Sequence, residues 1–161
     1  MNISEIVRAQ REYFLSGAAR DIETRRQTLL KLLTAVQSRE KEIEKALFAD
    51  LRKSAQEAYL CETGVLLGEI RYFLRHLHTF LRDRRARTAL AQFPAKCFTS
   101  PEPYGVVLIM APWNYPLLLC LQPLAGAVAA GNCVVLKPSA YAPETAHLIQ
   151  TLAAETFPPG H

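Results

Sequence analysis

Asn114 and Lys137 combine a useful side-chain chemistry with a position where a protein can exploit it. Asn114 lies in the turn Pro112-Trp113-Asn114-Tyr115-Pro116, and Lys137 opens Lys137-Pro138-Ser139. A carboxamide is a neutral donor, suited to an oxygen that gains charge during a reaction. A lysine ammonium is a mobile point charge, suited to hydroxyl or phosphate oxygens. The two act together only if the fold brings them to one place.

The flanking sequence supplies the means. The β-branched run Val106-Val107-Leu108-Ile109 precedes the first turn, and Val134-Val135-Leu136 precedes Lys137. Between them an Ala- and Leu-rich stretch runs from Leu117 to Ala130 and ends at Gly131-Asn132. The order is strand, turn, helix, turn, strand. No charged side chain occurs from Tyr104 to Leu136. Strands without polar alternation are expected to be buried on both faces, as in parallel sheets covered by helices. Two parallel strands joined by a crossover helix form a βαβ unit. In open α/β sheets, ligands bind at the carboxyl ends of the strands. Asn114 and Lys137 both fall there, so one site holding an amide donor and a cation is expected.

Composition narrows the class. Of the 161 residues 50% are apolar and 21% charged, as in a globular protein with one ordinary core. The net charge of +4 is unevenly placed. Residues 1–70 balance, while Arg71, Arg75, Arg82, Arg84, Arg85, Arg87 and Lys96 face only Asp83. These cations flank a helix end and lack the interleaved aromatics of a nucleic-acid groove, so no nucleic-acid partner is expected. The amino end carries Glu5 early and has no apolar core of a signal peptide. Cys61, Cys97, Cys120 and Cys133 show no CxxC spacing and sit in apolar settings. Reduced thiols and a cytoplasmic location fit that pattern. No metal-ligand cluster stands out.

Before the central unit the chain reads as helices. Asn2 and Glu5 form a capping-box start for a helix to about Leu15, ending at Ser16-Gly17. Asp21 is expected to cap a second helix with the stripe Ile22, Leu29, Leu32, Leu33 and Val36. Ser38 is expected to cap a third, carrying Ile43, Ala46, Leu47 and Leu51. The longest runs from about Ala55 to Leu81, with Tyr59, Thr63, Leu66, Ile70, Phe73, Leu77 and Phe80 on one face. His76 and His78, two apart, point in different directions and cannot chelate together. Pro94, Pro101 and Pro103 break the next segment, in which Lys96–Ser100 reads as a short exposed strand. Pro143-Glu144 suits the first turn of a last helix, to about Glu155. A two-stranded parallel sheet cannot cover its own helices, so the chain reads as the front of a larger α/β protein.

The run APWNYPLLLCLQPLAGAVAAGNCVVLKPS closely resembles the aldehyde dehydrogenase superfamily. The helical amino end and the PEPYGVVLIM lead-in most resemble its class 3, fatty-aldehyde branch. The resemblance covers essentially the whole chain but only about the amino-terminal third of a family member. It implies an incomplete aldehyde dehydrogenase fold: amino-terminal helices plus the first βαβ unit of a Rossmann-like parallel sheet. It divides the chain into a helical segment (1–82), a connector and oligomerisation arm (83–104) and a truncated cofactor-binding part (105–161).

The resemblance also implies roles. Asn114 would donate its side-chain amide to the thiohemiacetal oxyanion, and Lys137 would bind the adenosine ribose of NAD or NADP. Met110, Ala111, Pro112 and Trp113 would line the cofactor cleft with their backbone, and Ser139 would lie beside the ribose. The reaction would be oxidation of a small-molecule aldehyde to a carboxylic acid by thiolate attack, hydride transfer and hydrolysis. The full-length form is expected to be a homo-oligomer.

The chain departs from the family where a glutamate usually follows KPS: here that residue is Ala140. Loss of that acceptor favours tolerance of NADP. The nucleophilic cysteine and general-base glutamate belong to sequence beyond the family's equivalent of His161. Cys120 and Cys133 are expected to be buried, without a base or cation that would activate a thiol. Asn114 also reads as an N-cap of the helix that starts at Pro116, which would leave its NH2 free. Trp113 also reads as packing of the turn. Two other functions compete: a non-catalytic paralogue docking through its helices and the Lys96–Ser100 strand, and a membrane protein. Pro112, Pro116, Pro123 and Asn132 interrupt the uncharged run and argue against a span.

Overall fold

The computed structural model describes residues 2–158. Helix α1 (Ile3–Leu15) starts in the expected capping box. Asn2 Oδ1 accepts from the Ser4 amide at 3.3 Å, and the Asn2 amide donates to Glu5 Oε2 at 2.9 Å. Helix α2 (Ile22–Ser38) is capped by Asp21, which accepts from the Thr24 amide at 2.7 Å. That bond holds the Asp21 carboxyl below its ordinary pKa. Leu29, Leu32 and Val36 of the expected stripe are buried.

Ser38 does not cap the next helix. It is the last residue of α2, and its hydroxyl donates back to the Ala35 carbonyl at 3.0 Å. Helix α3 (Glu40–Leu51) follows after Arg39 alone, with no side-chain cap. An N-cap needs extended backbone, and one intervening residue leaves Ser38 helical. Arg39 instead ties Glu42 and, across the molecule, Glu155.

The long fourth helix is not regular. Ser54 caps α4 (Ala55–Ala58), a π turn covers Tyr59–Thr63, and α5 runs Gly64–Phe80. The wider turn rotates everything before it relative to α5. Tyr59, expected on the buried stripe, is therefore rotated to the surface, while Ala58 is turned in and fully buried. Glycine at 64 permits the turn, because a Cβ there would sit 2.9 Å from the Tyr59 carbonyl oxygen.

The connector contributes a strand that the sequence does not announce. β1 (Arg84–Ala86) pairs antiparallel with β2 (Cys97–Thr99), the core of the expected Lys96–Ser100 strand. Arg-Arg-Ala contains no β-branched or aromatic residue, so it carries no strand signal.

The central unit is a βαβ arrangement. β3 (Val106–Met110) and β4 (Cys133–Lys137) are parallel, in register from Val106↔Cys133 to Met110↔Lys137. Helix α6 (Leu118–Ala130) joins them and packs on α5 and α2. Helix α7 (Pro143–Thr156) begins with proline in its first turn and packs on α3 and α2. Its first amides are capped from a distance: Asp50 accepts from the Glu144 and Thr145 amides at 3.1 and 2.8 Å. One apolar cluster runs from Leu29 and Leu32 through Leu66 and Ile70 to Leu121, Val128 and Leu152. It joins the helical segment to the βαβ unit.

β3 is not buried on both faces as its apolar run suggests. Val107 and Ile109 pack on the core, but Leu108 and Met110 are 60% and 70% exposed. Helices α1 and α6 both pack on the sheet, but among the described residues nothing covers Leu108 and Met110. A contiguous apolar face of this kind promotes association. The isolated chain is expected to self-associate with rising concentration, and Leu108→Thr/Met110→Thr to weaken that association. Sedimentation velocity would check this; a monodisperse wild-type monomer at all concentrations would refute it.

Candidate active site

The register of the sheet sets the site. Met110 and Lys137 are lateral partners at the carboxyl ends of their strands, and the Ala111 amide donates to the Lys137 carbonyl at 3.1 Å. Lys137 is exposed. With Pro138, Ser139, Ala140, Pro143 and His147 it lines a groove of about 760 Å³ between β4 and α7. Ser139 is buried there, and its hydroxyl oxygen accepts from the Tyr141 amide at 3.2 Å. Ser139 thus shapes the turn into α7, and among the described residues its own proton is donated to no other group. Met110 and Ala111 adjoin this groove through β4, whereas Pro112, Trp113 and Asn114 form an exposed turn outside its lining.

Asn114 is not the cap of α6. The helix has no side-chain cap from its own N-cap residue, Leu117. Its first amides are taken by Glu62, whose Oε2 accepts from Leu117 and Leu118 at 2.9 and 3.1 Å. A carboxylate at a helix amino terminus satisfies orphan amides and complements the dipole better than a neutral amide does. The Asn114 side chain is left exposed, with no intramolecular hydrogen bond among the described residues. Its backbone is held instead: Lys53 Nζ donates to the Asn114 carbonyl at 2.9 Å. The same Nζ donates to Glu62 Oε1 at 2.5 Å and lies 4.1 Å from the centre of the Tyr115 ring.

Lys53 and Glu62 are the residues that sequence reasoning misses. Lys53 stands among ordinary helix-end charges, and nothing in its neighbours marks it. Glu62 did carry a signal. It lies four residues before Leu66 on a face that turns out buried, an isolated acid where only apolar residues belong.

Among the described residues no group of three His, Cys, Asp or Glu side chains is placed to hold a metal ion. The uncharged run is divided among a strand, a 13-residue helix and a strand. No helix among the described residues is long and apolar enough to cross a membrane.

The aldehyde dehydrogenase family model matches residues 1–161. This chain belongs to the aldehyde dehydrogenase family. It is 41% identical over 145 residues to 4,4'-diaponeurosporen-aldehyde dehydrogenase of Staphylococcus aureus, covering 90% of this chain and 32% of that protein. It is 43% identical over 146 residues to rat aldehyde dehydrogenase family 3 member A2, covering 91% of this chain and 30% of that one. The substrate-bound structure of Staphylococcus aureus AldH superimposes with a TM-score of 0.96 at 39% identity, over 99% of this chain and 35% of that chain. Glyceraldehyde-3-phosphate dehydrogenase GapN of Methanocaldococcus jannaschii, complexed with NADP, gives 0.80 at 25% identity, over 98% of this chain and 34% of that one. The chain therefore spans about a third of the length of the curated relatives it matches. The α/β architecture is a part of the aldehyde dehydrogenase fold.

Aldehyde dehydrogenase chemistry calls for a nucleophile, and the buried cysteines here are poorly suited. Burial pushes the Cys120 and Cys133 thiols up to about 11, so both stay protonated well above neutral pH. Cys61 and Cys97 are only partly buried. Iodoacetamide at pH 8 is expected to modify Cys61 and Cys97 at least about tenfold faster than Cys120 and Cys133. Peptide mass spectrometry over a time course would check the order; early labelling of Cys133 would show an activated thiol.

Proposed function

We propose that this chain provides the oxyanion donor and the adenosine-ribose side of the cofactor cleft of an NAD(P)-dependent aldehyde dehydrogenase. The supporting observation is the pairing of Met110 with Lys137, which sets the Asn114 turn and the Lys137 groove at the same end of one sheet. When bound, the nicotinamide cofactor accepts the hydride. The residues of this chain do the rest of the work assigned to them by position. The Asn114 carboxamide, without a hydrogen-bond partner among the described residues, donates to the oxygen of the aldehyde as it gains charge. The Lys137 ammonium binds ribose or phosphate oxygens, and Ser139 donates beside it. The groove of about 760 Å³ accommodates a group the size of adenosine, and its exposed cation suits hydroxyl or phosphate oxygens.

The whole chain, joined to the remaining two thirds of Staphylococcus aureus AldH, forms the enzyme in which this is tested. Asn114→Ala is expected to lower kcat by about ten- to a thousandfold with little change in cofactor affinity. An unchanged kcat where chemistry is rate-limiting would remove Asn114 from the mechanism. The 161-residue chain alone is expected to produce no NAD(P)H, because burial keeps the Cys120 and Cys133 thiols protonated and, among the described residues, no base or cation lowers either pKa.

Cofactor choice follows from Ala140, which lines the groove beside Lys137 and Ser139. A glutamate there would accept from both ribose hydroxyls and repel a 2′-phosphate. Alanine removes acceptor and repulsion together. A phosphate oxygen on the Lys137 ammonium gains a charge-assisted hydrogen bond, discounted here to about 1 kcal/mol because the lysine is exposed. NADP is expected to serve at least as well as NAD, with the preference falling as salt rises. Ala140→Glu should swing it toward NAD, and Lys137→Ala should harm NADP more. The check is kcat/KM for both cofactors in the same chimera. A strong NAD preference untouched by Ala140→Glu would mean that position 140 does not face the ribose.

A further inference from the structure

We propose that Lys53 and Glu62 are positioning residues for Asn114: they hold the backbone of its turn and thereby set where its carboxamide stands. The proposal rests on Asn114 being the oxyanion donor.

The turn is gripped at two points by one ion pair. Lys53 Nζ takes the Asn114 carbonyl, and Glu62 Oε2 takes the Leu117 and Leu118 amides. The pair is closed on itself by the bond from Lys53 Nζ to Glu62 Oε1, and Tyr115 from the same turn lies against the ammonium. Glu62 is fully buried and Lys53 is 7% exposed. Among the described residues the Asn114 side chain has no hydrogen-bond partner, so its position is inherited from this backbone.

Both charges are delivered by departures from regular backbone. Arg52 closes α3 at φ 58°, a left-handed conformation rare for a residue with a Cβ, and Lys53 follows directly. Glu62 lies inside the π turn, a feature frequent at functional sites. A buried ion pair is weak as a device for stability, since desolvation offsets its attraction. Here each partner has further bonds to spare, and all of them go to the 114–118 segment.

The effect on reaction follows from geometry. A donor misplaced by about 1 Å can cost about a hundredfold in rate. The test uses the chimeric enzyme described above. Lys53→Met removes the bond to the Asn114 carbonyl but strands a buried carboxylate. The double variant Lys53→Met/Glu62→Gln removes both charges while leaving an oxygen acceptor for the α6 amides, so it carries the test if the single variant fails to fold. Each is made with Asn114 intact and with Asn114→Ala.

With Asn114 intact, the double variant is expected to lower kcat about ten- to a hundredfold, leaving KM for the cofactor within about twofold. In the Asn114→Ala background it is expected to add less than about twofold, because the donor it positions is gone. Equal losses in both backgrounds would overturn the proposal and leave the pair a structural ion pair. Hydrogen exchange of peptides covering 111–118 gives a readout independent of catalysis and is expected to quicken in the double variant. Unchanged exchange there would also overturn the positioning role. If Asn114→Ala alone leaves kcat unchanged, it is the oxyanion-donor assignment that fails, and the exchange data then judge the hold on the turn separately.

Discussion

Helix α6 carries no charged residue, yet both of its ends are held by buried charges from elsewhere in the chain. Glu62 accepts from the first amides at Leu117 and Leu118. Arg25, 5% exposed, donates to the Ala129 carbonyl at the other end and to the Ala19 and Arg20 carbonyls. The signs match the helix dipole, with the anion at the amino end and the cation at the carboxyl end. Partly buried interactions of this type reach about 2 kcal/mol each. Lys53 neutralises Glu62; without it a carboxylate would be buried unpaired, at a cost of about 3–5 kcal/mol. Burial among carbonyls lowers the Arg25 pKa from its ordinary value, though a guanidinium keeps its charge. Glycine is required at 131 twice over. Its φ is +88°, and a Cβ there would sit 2.5 Å from the Arg25 guanidinium.

The amino end of α6 carries the Asn114 turn, and its carboxyl end fixes the register that brings Lys137 beside that turn. At the amino end, the Glu62–Lys53 pair holds the segment that carries Asn114. At the carboxyl end, Asn132 Oδ1 accepts from the Gly105 amide at 2.9 Å, and its Nδ2 donates to the Ala127 carbonyl at 3.3 Å. The Cys133 amide donates to the Gly105 carbonyl at 2.8 Å. These bonds lock the start of β3 against the start of β4. Register fixed at Val106↔Cys133 is register fixed at Met110↔Lys137, because strands of equal length carry it unchanged. Helix α1 adds one support to β4, where Gln10 Nε2 donates to the Val134 carbonyl at 2.6 Å.

The strand–helix–strand order was legible because local patterns and the tertiary outcome agree. Val106–Ile109 and Val134–Leu136 look like strands and are strands, and Gly131-Asn132 looks like a turn and is one. Asn2 and Asp21 cap as their spacing suggests. The failures have more than one cause. Ser38 has the right chemistry for a cap, but α2 runs through it. Asn114 has the right chemistry too, but Glu62, distant in sequence, takes the amides. Tyr59 has the right spacing, but a π turn rotates it outward, and helical periodicity carries no mark of one inserted residue. Leu108 and Met110 are apolar at positions exposed in this structure, so composition alone suggested a buried face. At Asn114 a longer-range contact outweighed the local preference, while at Ser38 and Tyr59 the running helix and the π turn did so.

Glu62 also explains why a neutral amide is the group suited to oxyanion work on the proposed function. A helix amino terminus is a ready anion site, with free amides and a favourable dipole. At α6 that site is already filled by a carboxylate belonging to the protein, which in turn is neutralised by Lys53. Neither the helix end nor the lysine has charge left to offer a second anion. What projects into solvent from the same turn is the Asn114 carboxamide, whose NH2 is committed to nothing within the described residues. A neutral donor binds an uncharged carbonyl oxygen weakly and an oxyanion more strongly, so its contribution grows as the transition state is approached. Exposing the helix end instead would hold any anion, including a carboxylate product, in the ground state. On the proposed function the buried ion pair separates two tasks: the charges fix the position of the turn, and an uncharged group is left to face the reacting oxygen.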